Sequence, residues 1–175
     1  MEEQIDVLDE NGMKTGEIVT RKEVHVRGLW HRIIVVAIID KNGHLLMQQR
    51  SIKKETNPGK WDVSTAGHVS AGQSSKEAAI REVSEEVGMN VQEDELEYIC
   101  TYKTINKIKE DYIANHIYDF YIVKRENMEM SNIKMQESEV DQVKLCNLDE
   151  VEEMLDNKQV VKRDEVYREL IKYLK

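Results

Sequence analysis

The sequence predicts a mixed-sheet α/β or α+β sandwich with helices on both faces of the sheet. Segments rich in β-branched residues and segments with helical periodicity mix along the chain without a regular βαβ repeat. The chain has 175 residues, of which 40% are hydrophobic, and its single proline and eight glycines leave no flexible linker. We therefore expect one domain over residues 1–175.

The first third of the chain is predicted to form a hairpin, a helix and a buried strand pair. Residues 4–19 alternate around Asn11-Gly12, a dipeptide that favours a tight hairpin turn. A short helix over 21–28 follows. The run 32–39 is dense in β-branched residues, which is typical of a strand buried on both faces, and residues 44–50 are its predicted hairpin partner.

A loop over 51–60 and a strand over 61–69 lead into the central helix. Ser74 or Ser75 is a suitable N-cap, because a hydroxyl accepts a hydrogen bond from a free N–H of the first turn. Gly88 ends the helix, since glycine adopts left-handed backbone at little cost. The remaining predicted elements are strands over 96–105, 112–123 and 140–146 and helices over 148–155 and 164–174.

Charge and composition exclude several classes of protein. Acidic residues outnumber basic ones by 34 to 25, a formal net charge of −9, whereas nucleic acids and anionic membranes attract basic surfaces. The longest apolar run, 33–39, is far shorter than the roughly 20 residues that span a bilayer, and the acidic start does not resemble a secretory signal. Cys100 and Cys146 have no CxxC spacing, which indicates thiols in a reducing compartment. We expect a cytoplasmic protein.

The last turns of the central helix concentrate negative charge. Glu82, Glu85 and Glu86 stand at i, i+3 and i+4 and share one face. Like charges at this spacing repel by about 0.2–0.5 kcal/mol per pair, and the helix dipole disfavours anions near its C-terminus by about 0.3–1 kcal/mol. A divalent cation reverses the sign of both effects. The alternative is a solvated acidic face, which is common in an acidic chain.

Neighbouring residues favour the metal site. Arg81 lies four residues before Glu85 and can orient its carboxylate. Gly67 and Gly72 permit a tight loop before the helix, which brings backbone carbonyls toward the ion. Ligands that are all oxygen favour Mg²⁺ or Mn²⁺, and these ions also bridge to substrate phosphates.

This segment resembles the signature of the Nudix hydrolase superfamily. The matching residues are Gly67, Arg81, Glu82, Val83, Glu85, Glu86, Gly88 and Met89. One position departs, because Gln73 stands where the pattern has its first Glu. The resemblance extends loosely over 30–157 and implies the Nudix α/β/α sandwich with a mixed sheet. An N-terminal hairpin extension over 1–28 and C-terminal helices over 148–175 would be additions to it.

The resemblance implies metal-assisted hydrolysis of a diphosphate joined to another moiety. By residue match, Glu82, Glu85 and Glu86 would ligate the metals, and the carbonyl of Ala66 would add a further ligand. Arg81 would orient the cluster. In the family the first Glu pairs with that Arg. We therefore expect Gln73 to hydrogen-bond Arg81 and to leave the metal affinity weaker.

Hydrolysis also needs a group that accepts the proton of the attacking water. Glu85 and Glu86 are candidates within the helix. Glu137 and Glu139 are candidates in the loop before the strand 140–146, where several Nudix relatives place the base. A solvated loop is the alternative for these two residues.

Candidate substrate-binding residues lie near the signature. Arg50 and Lys60 belong to a basic cluster with Lys53 and Lys54 that would attract a diphosphate, although a solvated basic loop is the alternative. His68 directly follows the first glycine of the signature. The sequence does not identify the small-molecule diphosphate substrate. Nucleotides, nucleotide sugars, coenzyme fragments and prenyl diphosphates are all candidates. The edge of the N-terminal hairpin also offers a surface through which two copies could pair as a homodimer.

The chain is also similar to isopentenyl-diphosphate isomerase. The shared stretches are 24–32, 58–62 and 66–68. The resemblance implies that His25, His31 and His68 supply three histidines of a metal site. However, Ala66 occupies the position of the catalytic Cys, and residues 115–118 lack the carboxylates of the corresponding strand. The alternatives to a hydrolase are thus an isomerase-like enzyme and a domain that binds a diphosphate without hydrolysing it.

Overall fold

The computed structural model describes residues 2–175. In that part of the chain the helices are α1 (Arg21–Val26), α2 (Ser75–Val87), α3 (Leu148–Asp156) and α4 (Asp164–Leu174). The strands are β1 (Gln4–Leu8), β2 (Lys14–Thr20), β3 (His31–Asp40), β4 (Leu45–Arg50), β5 (Trp61–Asp62), β6 (Thr65–His68), β7 (Glu97–Lys109), β8 (Tyr112–Arg125) and β9 (Val140–Cys146). No helix within residues 2–175 combines the length and apolar character needed to cross a bilayer.

The main sheet is mixed, as the sequence predicts. Its path is β5-β4-β3-β8-β7, with β6 added to β3 and β9 added to β4. Strands β3 and β8 run parallel from the pair His31–His116 to the pair Asp40–Arg125, and the other pairs are antiparallel. β1 and β2 form a separate antiparallel pair.

Strand β3 divides the core into two layers, because its side chains alternate between the faces of the sheet. On one face Ile33 and Val35 pack in a cluster that includes Val166 and Leu170 of α4. On the other face Ile34 packs with the apolar side of α2. The helices therefore cover both faces, and the predicted α/β/α sandwich is confirmed.

The predicted strand 61–69 is in fact two strands with different partners. β5 pairs with β4, and β6 pairs with β3. β3 and β4 share one register pair, Ile39–Leu45, and then diverge, so the predicted hairpin is short. The Ser64 hydroxyl fills the gap, accepting from Ile38 N–H at 2.7 Å and donating to Leu46 O at 2.6 Å. The prediction of a single strand over 61–69 is wrong because β3 and β4 diverge only in the folded sheet, and the local sequence carries no signal of this.

The ends of α2 confirm the local prediction. Ser74 and Glu77 form a reciprocal capping box at the N-terminus, and Gly88 closes the C-terminus with φ of 66°. The helices predicted at 21–28 and 148–155 match α1 and α3 within two residues at each end.

The N-terminal extension is fastened to the loop that precedes α2. Ala71 N–H donates to Gln4 O at 2.7 Å, and Gly72 N–H donates to an Asp6 carboxylate oxygen at 2.9 Å. The Leu8 N–H donates to Trp30 O at 2.8 Å. The extension therefore supports the segment that carries the signature residues.

Candidate functional site

A cleft of about 680 Å³ collects most of the predicted site residues. Those that line it are Arg50, Ala66, His68, Arg81, Glu82, Glu85, Glu86 and Glu139. Lys60 and Glu137 are not among its lining residues. Further charged residues that the sequence did not single out as site residues include Arg21, Lys107 and Arg163.

Loop geometry separates Glu139 from Glu137. Ser51 N–H donates to Glu139 O at 2.8 Å, and Glu139 N–H donates to Gln136 O at 2.8 Å. This turn directs the Glu139 carboxylate into the cleft, where it forms an ion pair with Lys54. The Glu137 side chain is exposed. Of the two loop candidates, Glu139 alone lies at the cleft.

Arg81 organises the exposed end of the acidic cluster. Its Nη1 lies 2.8 Å from Glu82 Oε1 and 3.1 Å from Glu85 Oε2. Its Nη2 donates to the backbone carbonyl of His68 at 3.0 Å. One guanidinium therefore joins α2 to the end of β6. The expected bond from Gln73 to Arg81 is absent, and Gln73 Oε1 is buried without a partner among the described residues.

Gly67 faces the acidic cluster directly. A Cβ atom at this position would lie 2.2 Å from Cδ of Glu82, far inside van der Waals contact. The absence of a side chain at residue 67 therefore creates the space in which the Glu82 carboxylate lies.

Glu86 is the most buried member of the cluster. Its Oε2 accepts from Gln48 Nε2 at 2.8 Å and from the Thr65 hydroxyl. The pKa of Glu86 is raised to about 7, chiefly by burial and also by the negative charge of Glu82, against the lowering effect of these hydrogen bonds. Burial also raises the pKa of Glu82 itself, although Arg81 opposes this shift.

The raised pKa values of Glu82 and Glu86 fit a cation site. Carboxyls whose ionisation is opposed by burial and by each other gain most from a nearby divalent charge. In the structure their oxygens are engaged by Arg81, Gln48 and Thr65 and do not gather around one point. Metal binding would thus require Arg81 or the carboxylates to change partners.

A second group of potential ligands is more tightly gathered. One ring nitrogen from each of His25, His31, His68 and His116 lies within 4.8 Å of those of the other three. The register explains this, because His31 of β3 is paired with His116 of β8. His68 is paired with Ile33, two residues further along β3 on the same face.

The hydrogen bonds of the histidines leave lone pairs pointing inward. Nδ1 of His25 lies 2.7 Å from Arg21 O, and Nδ1 of His31 lies 2.9 Å from Leu29 O. A carbonyl only accepts, so these Nδ1 atoms carry hydrogen and their Nε2 atoms are bare. The Nε2 atoms of all four histidines are buried without hydrogen-bond partners among residues 2–175.

Burial keeps these imidazoles neutral, which is the form that binds metals. It lowers the pKa of His31 to about 4, and it is also the largest cause of the lowered pKa values of His25, His68 and His116. The cluster is therefore chemically suited to hold a metal ion.

Sequence reasoning identified three of the four histidines and missed His116. It treated residues 115–118 only as a place where carboxylates are lacking. The parallel register of β3 and β8, which places His116 beside His31, involves positions 85 residues apart and leaves no local signal.

Comparison with known proteins identifies the family. The NUDIX domain model matches residues 29–170. The chain is 37% identical over 159 residues to Nudix hydrolase 3 of Arabidopsis thaliana, an alignment that covers 88% of this chain and 20% of that protein. The chain thus spans one fifth of the length of that relative.

The chain is also similar to an isomerase and to a solved structure of the same fold. Isopentenyl-diphosphate Delta-isomerase of Serratia proteamaculans is 30% identical over 122 residues, which cover 70% of this chain and 66% of that protein. A crystal structure of a Deinococcus radiodurans protein shares the fold with a TM-score of 0.72 at 17% identity, covering 98% of this chain and 99% of that one. The chain is a member of the Nudix family, whose homologues include both hydrolases and isopentenyl-diphosphate isomerases.

Proposed function

We propose that the protein hydrolyses the diphosphate bond of a small organic molecule, with Mg²⁺ or Mn²⁺ held at the acidic cluster of α2. The observation that carries this proposal is that Glu82, Glu85 and Glu86 all line one open cleft, with the Glu82 carboxylate in the space left by Gly67. Arg50 and Lys54 on the same cleft supply positive charge for the substrate.

The chain's own residues position and neutralise the reacting groups. Arg81 holds Glu82 and Glu85 in place and ties α2 to the carbonyl of His68. Mg²⁺ bound by the glutamates would neutralise phosphate charge and lower the pKa of the attacking water. The carbonyl of Ala66, at the cleft wall, is a further oxygen ligand in this proposal.

Two carboxylates are candidates to accept the proton from water. Glu86 has a pKa of about 7, which suits a general base near neutral pH. Glu139 also lines the cleft, paired with Lys54. We favour Glu86 because the Glu139 carboxylate is already engaged in this ion pair.

The test compares Glu85→Gln and Glu86→Gln with the wild type in Mg²⁺ and Mn²⁺. Each variant is expected to lose about 10²-fold or more in kcat for release of phosphate or of a nucleoside monophosphate from a panel of diphosphate compounds. Glu126→Gln, which changes an exposed residue outside the cleft, is the matched control. Wild-type rates in both test variants would refute the mechanism.

The histidine cluster favours a second proposal, that the protein holds a nitrogen-preferring metal ion such as Zn²⁺ or Co²⁺. Four imidazoles without a carboxylate suit such ions better than Mg²⁺. The visible absorption of Co²⁺ reports nitrogen coordination directly. His31→Ala and His116→Ala are expected to abolish a 1:1 Co²⁺ spectrum that Glu85→Gln retains. A spectrum that depends on Glu85 instead would contradict this assignment.

The isomerase alternative has less chemical support. Allylic isomerisation needs an acid and a base, and Ala66 offers no proton at the position where the isomerase has a Cys. Interconversion of isopentenyl and dimethylallyl diphosphates without phosphate release would nevertheless establish it. Thermal stabilisation by diphosphates with no turnover would instead indicate a binding domain.

A further inference from the structure

Strand β7 presents an unpaired edge at one side of the main sheet. It is the last strand in the path of the sheet and pairs with β8 alone. Among residues 2–175, no backbone hydrogen bond joins β7 to any other element. Every second residue of an antiparallel edge strand directs its N–H and C=O away from the neighbouring strand, so β7 carries a row of free backbone groups.

This edge is long, and most of it is regular. The strand has 13 residues, and its register with β8 shifts between Tyr98 and Cys100 and again between Lys107 and Lys109. Between these shifts residues 100–107 are paired with β8 without interruption, which corresponds to about 27 Å of strand. Strands of globular proteins most often have about five or six residues, so this stretch alone is long enough to pair with a further strand.

Large apolar side chains are exposed along β7. Ile105, Tyr98 and Ile108 are 71%, 54% and 53% exposed, and no other large apolar side chain in the described part of the chain exceeds Ile105. Single exposed apolar residues are normal on a protein surface, whereas several on one unpaired strand are typical of a surface that a partner covers.

The lysine at the centre of this edge does not shield it. Edge strands are commonly protected by lysine side chains that hinder pairing with another chain. Lys103 instead donates to the backbone carbonyl of Glu10, and its Nζ lies 5.7 Å from the centroid of the Trp30 ring. Its side chain therefore lies on the N-terminal extension of its own protomer, and the backbone edge of the strand stays accessible.

The charges along β7 suit an antiparallel second copy. The strand begins with Glu97, whose side chain is half exposed, and the charged residues of its second half are Lys103, Lys107 and Lys109. Antiparallel pairing places the acidic start of each strand opposite the basic half of the other, whereas parallel pairing places like charges side by side. Lys109 lies 3.9 Å from Asp111 of the adjoining turn, so we take Lys107 as the cation that faces Glu97 of the second copy.

We propose that β7 pairs antiparallel with β7 of a second copy of this chain and joins the two main sheets across a two-fold axis. Both copies use the same edge, so the interface is closed and association stops at the dimer. This surface is distinct from the edge of the N-terminal hairpin, through which the sequence predicts a homodimer. The proposal is independent of the proposed hydrolase activity.

The paired edge reaches the cleft. Parallel pairing of β3 with β8 begins at the pair His31–His116, and β7 and β8 continue beyond it as a two-stranded ribbon over 105–115. Residues 106–108 of this ribbon line the cleft. Because an isolated two-stranded ribbon is only marginally stable, pairing with a second copy would support this wall of the cleft.

Sedimentation velocity over a wide range of protein concentration tests the interface on the full chain. The wild type is expected to show a monomer–dimer equilibrium. Ile105→Lys is expected to raise the dimer dissociation constant about tenfold or more, because it places a charge on the covered edge of both copies. Ile18→Lys, at a 54% exposed position on β2, changes the hairpin edge and is the matched control that should keep the wild-type constant.

Both substituted side chains are exposed, so circular dichroism should show the wild-type fold in each variant. A protein that stays monomeric at every concentration would overturn the proposal. A dimer that Ile105→Lys leaves unchanged would also overturn it, and a dimer that Ile18→Lys alone disrupts would place the interface at the hairpin.

A charge exchange tests the antiparallel orientation. Lys107→Glu and Glu97→Lys are each expected to weaken the dimer about threefold or more, and the double variant is expected to recover most of the loss, because opposite charges face each other again. The dependence on charge should also decrease at high salt. Losses that add in the double variant would contradict the antiparallel arrangement.

Hydrogen exchange followed by mass spectrometry tests whether the contact is a strand pair. At concentrations where the dimer predominates, the amides of residues 100–107 are expected to exchange more slowly than in the dilute monomer, since their outward N–H groups become hydrogen-bonded. Peptides from β2 serve as the internal control and should exchange equally at both concentrations. Equal exchange of residues 100–107 in monomer and dimer would show that the copies do not associate through β7.

Discussion

At position 67 the protein has room for a hydrogen atom and for nothing larger. Gly67→Ala would place a methyl group 2.2 Å from Cδ of Glu82 and force that carboxylate away. We expect a loss of about 1–3 kcal/mol in unfolding free energy, as for other overpacked sites, together with loss of most Mg²⁺-dependent activity. Urea unfolding and phosphate release measure the two effects.

A double variant separates crowding from other effects of the methyl group. Glu82→Ala in the Gly67→Ala background removes the clashing carboxylate, so stability should recover relative to Gly67→Ala while activity stays low. Additive losses of stability from the two substitutions would show that Gly67 does not serve to accommodate Glu82.

The buried Glu86 predicts a specific pH dependence of stability. Its pKa is raised to about 7 in the fold from an ordinary value of 4.5, so the folded state binds the proton more tightly than the unfolded state. The stabilisation is complete below the unfolded value and is lost as pH rises through the folded value, by up to about 3 kcal/mol in total. Metal-free wild-type protein should therefore lose the contribution of Glu86 between about pH 5 and 8, whereas the buried histidines, whose pKa values are lowered, contribute in the opposite direction as pH rises through their unfolded values.

Glu86→Gln is the matched comparison, because glutamine is isosteric and does not titrate. In chelator, the difference in unfolding free energy between wild type and this variant should change across the same pH range. A constant difference would mean that Glu86 titrates near its unfolded value. Divalent metal should reduce the wild-type slope, since a bound cation stabilises the ionised carboxylate.

Among the elements, α2 has a well-capped N-terminus, whereas its C-terminal turns carry carboxylates that repel one another. Ser74→Ala removes the capping box and should cost about 1 kcal/mol of stability, while leaving kcat largely intact because the carboxylates lie in the last turns. Ser84→Ala, at an exposed interior position of the helix, is the control and should be neutral or slightly stabilising. A large fall in kcat for Ser74→Ala would indicate that the cap also positions the carboxylates.

The elements also show what the sequence can predict. Both ends of α2 were predictable because Ser74 and Gly88 act within a few residues. The break between β5 and β6 was not, because the Ser64 hydroxyl bridges two strands that diverge only in the folded sheet. His116 was not predicted for the same reason, because only the register of β3 and β8 places it beside His31. The acidic residues of the site are contiguous in sequence and were predictable, whereas the histidine cluster is assembled by strand register.

At the scale of the whole molecule, the segment before the Nudix domain is part of the cleft. α1 supplies Arg21, which lines the cleft, and His25 of the histidine cluster, and the hairpin supports the loop at residues 70–72. The small core under the hairpin is formed by Ile5, Val7, Val19 and Val24. A local addition to the fold thus contributes one ligand, His25, to the proposed metal site.

A chain that starts at residue 29 tests this dependence. It lacks His25 and the support of the loop before α2, so it should lose the Co²⁺ spectrum of the histidine cluster and unfold at a lower temperature than the full chain. His25→Ala in the full chain should weaken Co²⁺ binding while its Mg²⁺-free thermal stability stays closer to the wild type, because the hairpin core remains. Retention of a wild-type Co²⁺ spectrum by the shortened chain would place the ion elsewhere and would reduce the extension to a structural support.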